Sequence, residues 1–133
     1  MYATLHVTCF YAALAAIFYL GLSIAVIRLR WRERVAILDG GRENLIRAIR
    51  AHGNFAEYVP FALFMMGLLE LSSRIPVGVL HMLGIALLAG RVAHVYSARV
   101  YEQKHGTFYV RATSVVLTFS VYVLCALMLL YVV

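Results

Sequence analysis

The chain has 133 residues, of which 64% are hydrophobic and 14% charged, and its mean hydropathy is +0.87. A chain this short has too little interior to hide so much apolar surface, so a soluble globular domain is excluded and lipid must cover the excess. Twelve Lys and Arg against six Asp and Glu give a net charge of +6. Those cations flank apolar runs and form no aromatic-basic motif, which points to membrane topology and anionic headgroups and away from nucleic acid.

A bilayer core takes roughly 20 apolar residues per helix, and the chain offers four such segments. The first, Tyr2 to Ile27, contains no Lys, Arg, Asp or Glu. It lacks a basic leading region and a small-residue cleavage site, so it reads as a retained helix and not a signal peptide. The second apolar run, Phe55 to Leu71, extends backward through a polar helical stretch that begins near Glu43. The third runs from Val77 to Ala98 behind Pro76, a natural first-turn residue. The fourth covers residues 109–133 and is uncharged from Ala112 onward. The expected architecture is one all-α domain over residues 1–133: an integral membrane four-helix bundle with spans at about 2–27, 44–71, 77–98 and 109–133. Cys9 and Cys125 each lie inside an apolar run, and the histidines are scattered, so neither a disulfide framework nor a metal site is expected.

The connections are uneven in charge. Arg28, Arg30, Arg32, Arg34 and Arg42, against Glu33, Asp39 and Glu43, fill the first loop, with Gly40-Gly41 at its turn. A tight turn, Ser72 to Pro76, joins the second and third spans. Arg99, Glu102, Lys104, His105 and then Arg111 mark the third connection. By the positive-inside rule the first and third loops are cytoplasmic, and both termini lie on the other side.

Ionisable groups at membrane depth usually face a bundle interior or a partner. Arg47, Arg50, Asn54, Glu57 and Tyr58 follow one another at gaps of three, four, three and one. At about 100° per residue they share an arc of roughly 100°. Arg50, Asn54 and Glu57 therefore either converge on one ligand or include an internal Arg50–Glu57 ion pair, and spacing leaves both open. His52 lies on the opposite face. Arg91 and His94 stand one turn apart in the third helix, where Arg91 either snorkels or serves a site. Arg111, at the start of the last helix, works against the helix dipole, which favours a functional role. A cation there makes an electropositive corner that lowers the pKa of a bound thiol. Glu70, at the outer end of the second helix, reads as solvated. Tyr2, Tyr11, Tyr19, Tyr122 and Tyr131 read as interfacial belt or packing.

The stretch from Arg47 to Pro60 resembles the signature of the MAPEG family, the membrane-associated proteins in eicosanoid and glutathione metabolism. Its R-x-x-x-N-x-x-E core is matched at Arg50, Asn54 and Glu57. The run Gly90 to His94 and the single arginine opening the last helix, Arg111, are similar to the family as well. The likeness covers the whole chain and is greatest to the bacterial branch and to microsomal glutathione transferases. It implies a homotrimer in a bacterial inner membrane, with glutathione bound between neighbouring subunits near the cytoplasmic face. By this resemblance Arg50, Asn54, Glu57 and Tyr58 bind glutathione, Arg91 and His94 line the site, and Arg111 stabilises the thiolate. His52, and either Arg28 or Arg30, would reach the glutathione of an adjacent subunit. Many relatives carry a tyrosine one turn after the position of His94. Here that residue is Ala98, and Tyr101, one further turn along, is the nearest substitute.

The implied activity is a glutathione transferase with peroxidase capacity, acting on a lipophilic electrophile or hydroperoxide that arrives through membrane lipid, with no metal. The alternative is a non-catalytic lipid- or glutathione-binding scaffold on the same fold. A small multidrug exporter would need a carboxylate in the first span, which has none.

Overall fold

The computed structural model describes residues 4–133, so Tyr2, the expected start of the first span, lies outside the described residues. The described residues form four long helices: α1 (His6–Glu33), α2 (Glu43–Leu71), α3 (Val77–Tyr96) and α5 (Tyr109–Val132). A π-helical turn, Ser97–Tyr101, joins α3 to a short α4, Glu102–His105, so that residues 77–105 run as one continuous rod. No strand occurs among the described residues. The all-α bundle is thus as the hydropathy pattern requires. Helix α1, the rod from Val77 to His105, and α5 are each long and apolar enough to cross a bilayer.

Helix α2 is as long as the others but carries charge in its first half, and it is the central element, packed against α1, α3 and α5. Its inner face is a stripe of Leu45, Ala48, Ala51, Phe55, Val59, Ala62, Met66 and Leu69, all buried. Their spacing of three and four residues is the helical repeat of a core-facing surface. The outward residues of the neighbours, among them Ile17, Leu20, Ile85, Val116, Val123 and Leu130, are exposed and form the apolar coat that lipid wets.

Small residues set how closely the helices approach. The Tyr11 ring of α1 lies directly on Gly84 of α3, where an added Cβ would fall 2.4 Å from Tyr11 Cδ2. The hydroxyl of that Tyr11 donates to the His81 carbonyl at 3.1 Å. At Gly90, an added Cβ would sit 3.1 Å from Thr118 Oγ1 and 3.3 Å from the Ser114 carbonyl, so α3 and α5 touch almost backbone to backbone.

Two features depart from the reading of the sequence. Helix α1 does not stop at Ile27 but continues to Glu33, because Arg30 and Arg32 in its last turn suit the negative end of the helix dipole. Arg34 then closes the helix in the left-handed conformation. Glu70, read as solvated, is instead a cap. Its two carboxylate oxygens accept the backbone N–H groups of Val7 and Thr8, both at 2.8 Å, in the first turn of α1. Leu5, at the N-cap, has no side chain able to do this, and amides at a helix start need an acceptor. The tight turn after Glu70 serves the other terminal helix in the same way. Arg74 Nη1 donates to the carbonyl of Val132 at 2.6 Å, at the end of α5.

Candidate functional site: a polar cleft between α2 and α5

At the opposite end of the bundle, the starts of α2 and α5 and the end of α3 surround a cleft of about 770 Å³. That volume is within the usual range for small-molecule sites. Arg50, Asn54 and Glu57 enter it from α2, His94 from α3 and Arg111 from α5. Ile49, Phe108, Val115 and Val116 supply an apolar wall. Arg50, Glu57 and Arg111 are exposed to the cleft, whereas His94 is buried at its floor. Among the described residues neither Arg50 nor Glu57 takes part in an ion pair. The internal Arg50–Glu57 pair is thus not formed, and Arg50, Asn54 and Glu57 line one cleft instead.

Arg91 stands behind this wall. It is 2% exposed, and its Nη1 donates to Asn54 Oδ1 at 2.6 Å. Its Nη2 donates to the Ser114 carbonyl at 3.3 Å and to Thr118 Oγ1. A guanidinium has only donors, so the atom of Asn54 facing it must be the carbonyl oxygen, which leaves the Asn54 NH₂ for the cleft. Arg91 thus fixes the orientation of an amide in the cleft while lining none of it. Among the described residues its Nε has no partner, a buried unmet donor inside an otherwise closed network. The Arg91 guanidinium carbon lies 5.5 Å from the centroid of the Tyr58 ring, whose face offers partial compensation to the cation. Tyr58 packs with Phe119 and Tyr122, and its carbonyl accepts the Tyr122 hydroxyl at 2.6 Å, so within the chain its ring is part of the α2–α5 seam.

The remaining positions singled out from the sequence lie elsewhere. Arg47 leaves the shared arc of α2. Its Nη1 donates to the Ala98 carbonyl at 3.2 Å, and its Nη2 pairs with Glu43 at 2.7 Å. His52 faces α1, with Nε2 at 3.1 Å from Ser23 Oγ and its ring stacked 4.6 Å from that of Tyr19. Arg30 braces the first loop by donating to the Leu38 carbonyl at 2.7 Å. Tyr101 does not enter the cleft but stacks on His105, with centroids 4.4 Å apart. Sequence reasoning passed over Ser114 and Thr118, the buried acceptors of Arg91. Their signal was a Ser–Thr pair at i, i+4 in an otherwise apolar helix. It also passed over Glu102, whose carboxylate lies 3.4 Å from Arg111 Nε.

The cleft therefore joins two cations, one carboxylate and an oriented amide to an apolar wall. Such a set offers donors suited to carboxylates, an acceptor suited to an ammonium and an apolar surface side by side. The MAPEG family profile matches residues 8–131. The inner membrane protein YecN of Escherichia coli strain K12 is 43% identical over 90 residues, 68% of this chain and 68% of that one. YecN of Escherichia coli O6:H1 strain CFT073 matches to the same extent. The chain belongs to the MAPEG family, and so to the membrane proteins of eicosanoid and glutathione metabolism.

Proposed function

We propose that the protein is a membrane-bound glutathione transferase that activates the glutathione thiol against lipophilic electrophiles, with hydroperoxides as further acceptors. The observation that carries this reading is the meeting of Arg50, Asn54 and Glu57 with Arg111 at one cleft, from two helices that are distant in sequence. The charges match glutathione group by group. Arg50 offers a fork for a carboxylate, Glu57 an acceptor for the ammonium and Asn54 a donor for a peptide carbonyl. Arg111 then holds the sulfur as thiolate, the form that attacks. The thiol proton leaves to solvent, and a sulfur lone pair forms the S–C bond as the electrophile's leaving group departs with its electrons. Lowering a thiol pKa by about two units takes roughly 2.7 kcal/mol, within reach of one guanidinium in a partly dry site. The exposed Val116 and Phe108 give the second substrate an apolar approach from lipid.

In this reading three copies assemble and glutathione lies between neighbours, which gives the exposed rim of the cleft a second wall. His52 and Arg30, which lie outside the cleft of their own chain, reach the glutathione of the adjacent subunit in that assembly. The location of YecN in the inner membrane supports the same membrane here, and the positive-inside rule puts the arginine-rich loops on the cytoplasmic side with both termini opposite.

The test uses purified protein in detergent, with glutathione binding by calorimetry, thiolate formation by ultraviolet absorbance, and conjugation of an aryl halide. Glu57→Gln should weaken binding by about ten- to a hundred-fold, the loss of one charge-assisted contact of ~1.5–3 kcal/mol. Arg111→Ala should bind glutathione yet lose the thiolate band and turnover. If both variants bind as the parent does, the cluster is structural and a non-catalytic scaffold is the better reading.

A further inference from the structure

The guanidinium of Arg111 lies in the first turn of α5, where the dipole of the helix opposes a cation. Its side chain is 48% exposed, so packing alone does not hold it. A carboxylate does. Glu102 Oε1 lies 3.4 Å from Arg111 Nε, and the Glu102 side chain is only 14% exposed. Ser97 Oγ, fully buried, donates to the same oxygen at 3.1 Å. Arg47 Nη1 stands 3.9 Å from the other oxygen. The contact with Arg111 is made at Nε, leaving the two terminal nitrogens of the guanidinium free for the cleft that Arg111 also lines.

The backbone explains why a glutamate occupies this spot. In an α-helix the residue above Ser97 would be Tyr101, four positions on. The turn here is π-helical, and the Glu102 N–H bonds to the Ser97 carbonyl five positions back. The extra residue carries Tyr101 out toward His105 and brings Glu102 over Ser97. π-turns of this kind commonly sit at functional sites, where they re-aim one side chain.

We propose that Glu102 is a positioning residue, set by the π-turn, that holds the Arg111 guanidinium at the mouth of the cleft. The inference rests on the thiolate role given to Arg111 above. Glu102 itself touches no substrate. Its effect passes through Arg111, which would otherwise swing into solvent, away from the like charge of Arg47.

The experiment compares the parent with Glu102→Gln, Glu102→Asp and Ser97→Ala in detergent, along two arms. In the first, thiolate absorbance of bound glutathione is titrated against pH. Glu102→Gln should raise the thiol pKa by about half to one unit, cutting kcat at neutral pH roughly three- to ten-fold. The KM for glutathione should change less than about two-fold, because the binding groups on α2 are untouched. Glu102→Asp should recover part of the loss, and Ser97→Ala should lie between. An unchanged thiol pKa in Glu102→Gln overturns the proposal, and so does a lowered one, which would mean that Glu102 quenches Arg111. The second arm needs no glutathione. Phenylglyoxal labelling of Arg111, followed by mass spectrometry, should run several-fold faster in Glu102→Gln than in the parent. Equal labelling rates would show that Glu102 does not hold Arg111, whatever binds the cleft. Faster labelling in a protein that fails to bind glutathione would keep the Glu102–Arg111 tether and remove only the transferase reading.

Discussion

Replacing Arg91 by Met tests how the cleft acquires its fixed amide. The substitution removes three hydrogen bonds, to Asn54 Oδ1, the Ser114 carbonyl and Thr118 Oγ1. Bonds to a charged group contribute about 1.5–3 kcal/mol each, a gross loss of several kcal/mol. Against that, a buried guanidinium with no carboxylate partner carries a desolvation penalty of several kcal/mol, which Met does not. Thr118 remains satisfied, since its hydroxyl donates to the Ser114 carbonyl at 3.1 Å. What survives the cancellation is the lost bond of the half-buried Asn54 amide, which can turn its oxygen to the open cleft, so the expected destabilisation in thermal unfolding is about 1 kcal/mol. The functional consequence is separate. Freed from Arg91, the Asn54 amide can turn over, and a neutral hydrogen bond of about 0.5–1.5 kcal/mol to glutathione is lost, up to roughly ten-fold in affinity by calorimetry. Added to Asn54→Ala, Arg91→Met should weaken affinity no further, because both act on one contact. Additive losses would show that Arg91 meets the ligand directly, and the positioning argument would be wrong.

Other outcomes follow from the packing. Gly84→Ala should destabilise the bundle by about 1–3 kcal/mol, since its methyl collides with the Tyr11 ring, and should be nearly neutral on a Tyr11→Leu background; an equal loss on both backgrounds would place the clash elsewhere. Glu70→Ala should cost about 1–2 kcal/mol and expose the Val7 and Thr8 amides to hydrogen exchange, with Glu70→Gln intermediate. Rapid exchange of those amides in the parent would deny the cap. Deleting Val100 should straighten the π-turn and leave Glu102 above Ser97 at the α-helical spacing, so Arg111 labelling should stay near the parental rate. Labelling as fast as in Glu102→Gln would show that the turn is not a one-residue insertion.

Much of this was legible before any coordinates. Long apolar segments such as α1, the rod over residues 77–105 and α5 can do little but cross a membrane as helices, because an unpaired backbone in lipid is too costly. The spacing of Arg50, Asn54 and Glu57 put them on one helical face, and the structure keeps that face together at the cleft. The same arithmetic failed for Arg47, because a long side chain chooses its partner within reach, and Glu43 and the Ala98 carbonyl were nearer than the cleft. It failed at Tyr101 for another reason. Counting residues assumes an unbroken 3.6-residue repeat, and the π-turn adds one residue with no mark in composition. Arg91 reads from sequence as snorkelling or serving a site directly. Its position behind Asn54 depends on Ser114 and Thr118, which reach it only once α3 and α5 close at Gly90. Glu70 was misread because the amides that it caps lie 62 and 63 residues away in sequence.

The cap at Glu70 and the clasp at Arg74 also bear on how the chain is made. The first amides of α1 are made more than sixty residues before their acceptor, so that end of α1 must stay wet or borrow another partner until the end of α2 has come to lie beside it. Arrival of Glu70 then closes the first two helices into a hairpin of fixed register, since a slip of one helical turn would carry both amides out of reach. Four residues on, Arg74 is already in place when the carbonyl of Val132 is finally produced. Helix α5, made after that turn, therefore docks onto a register that α1 and α2 have already set.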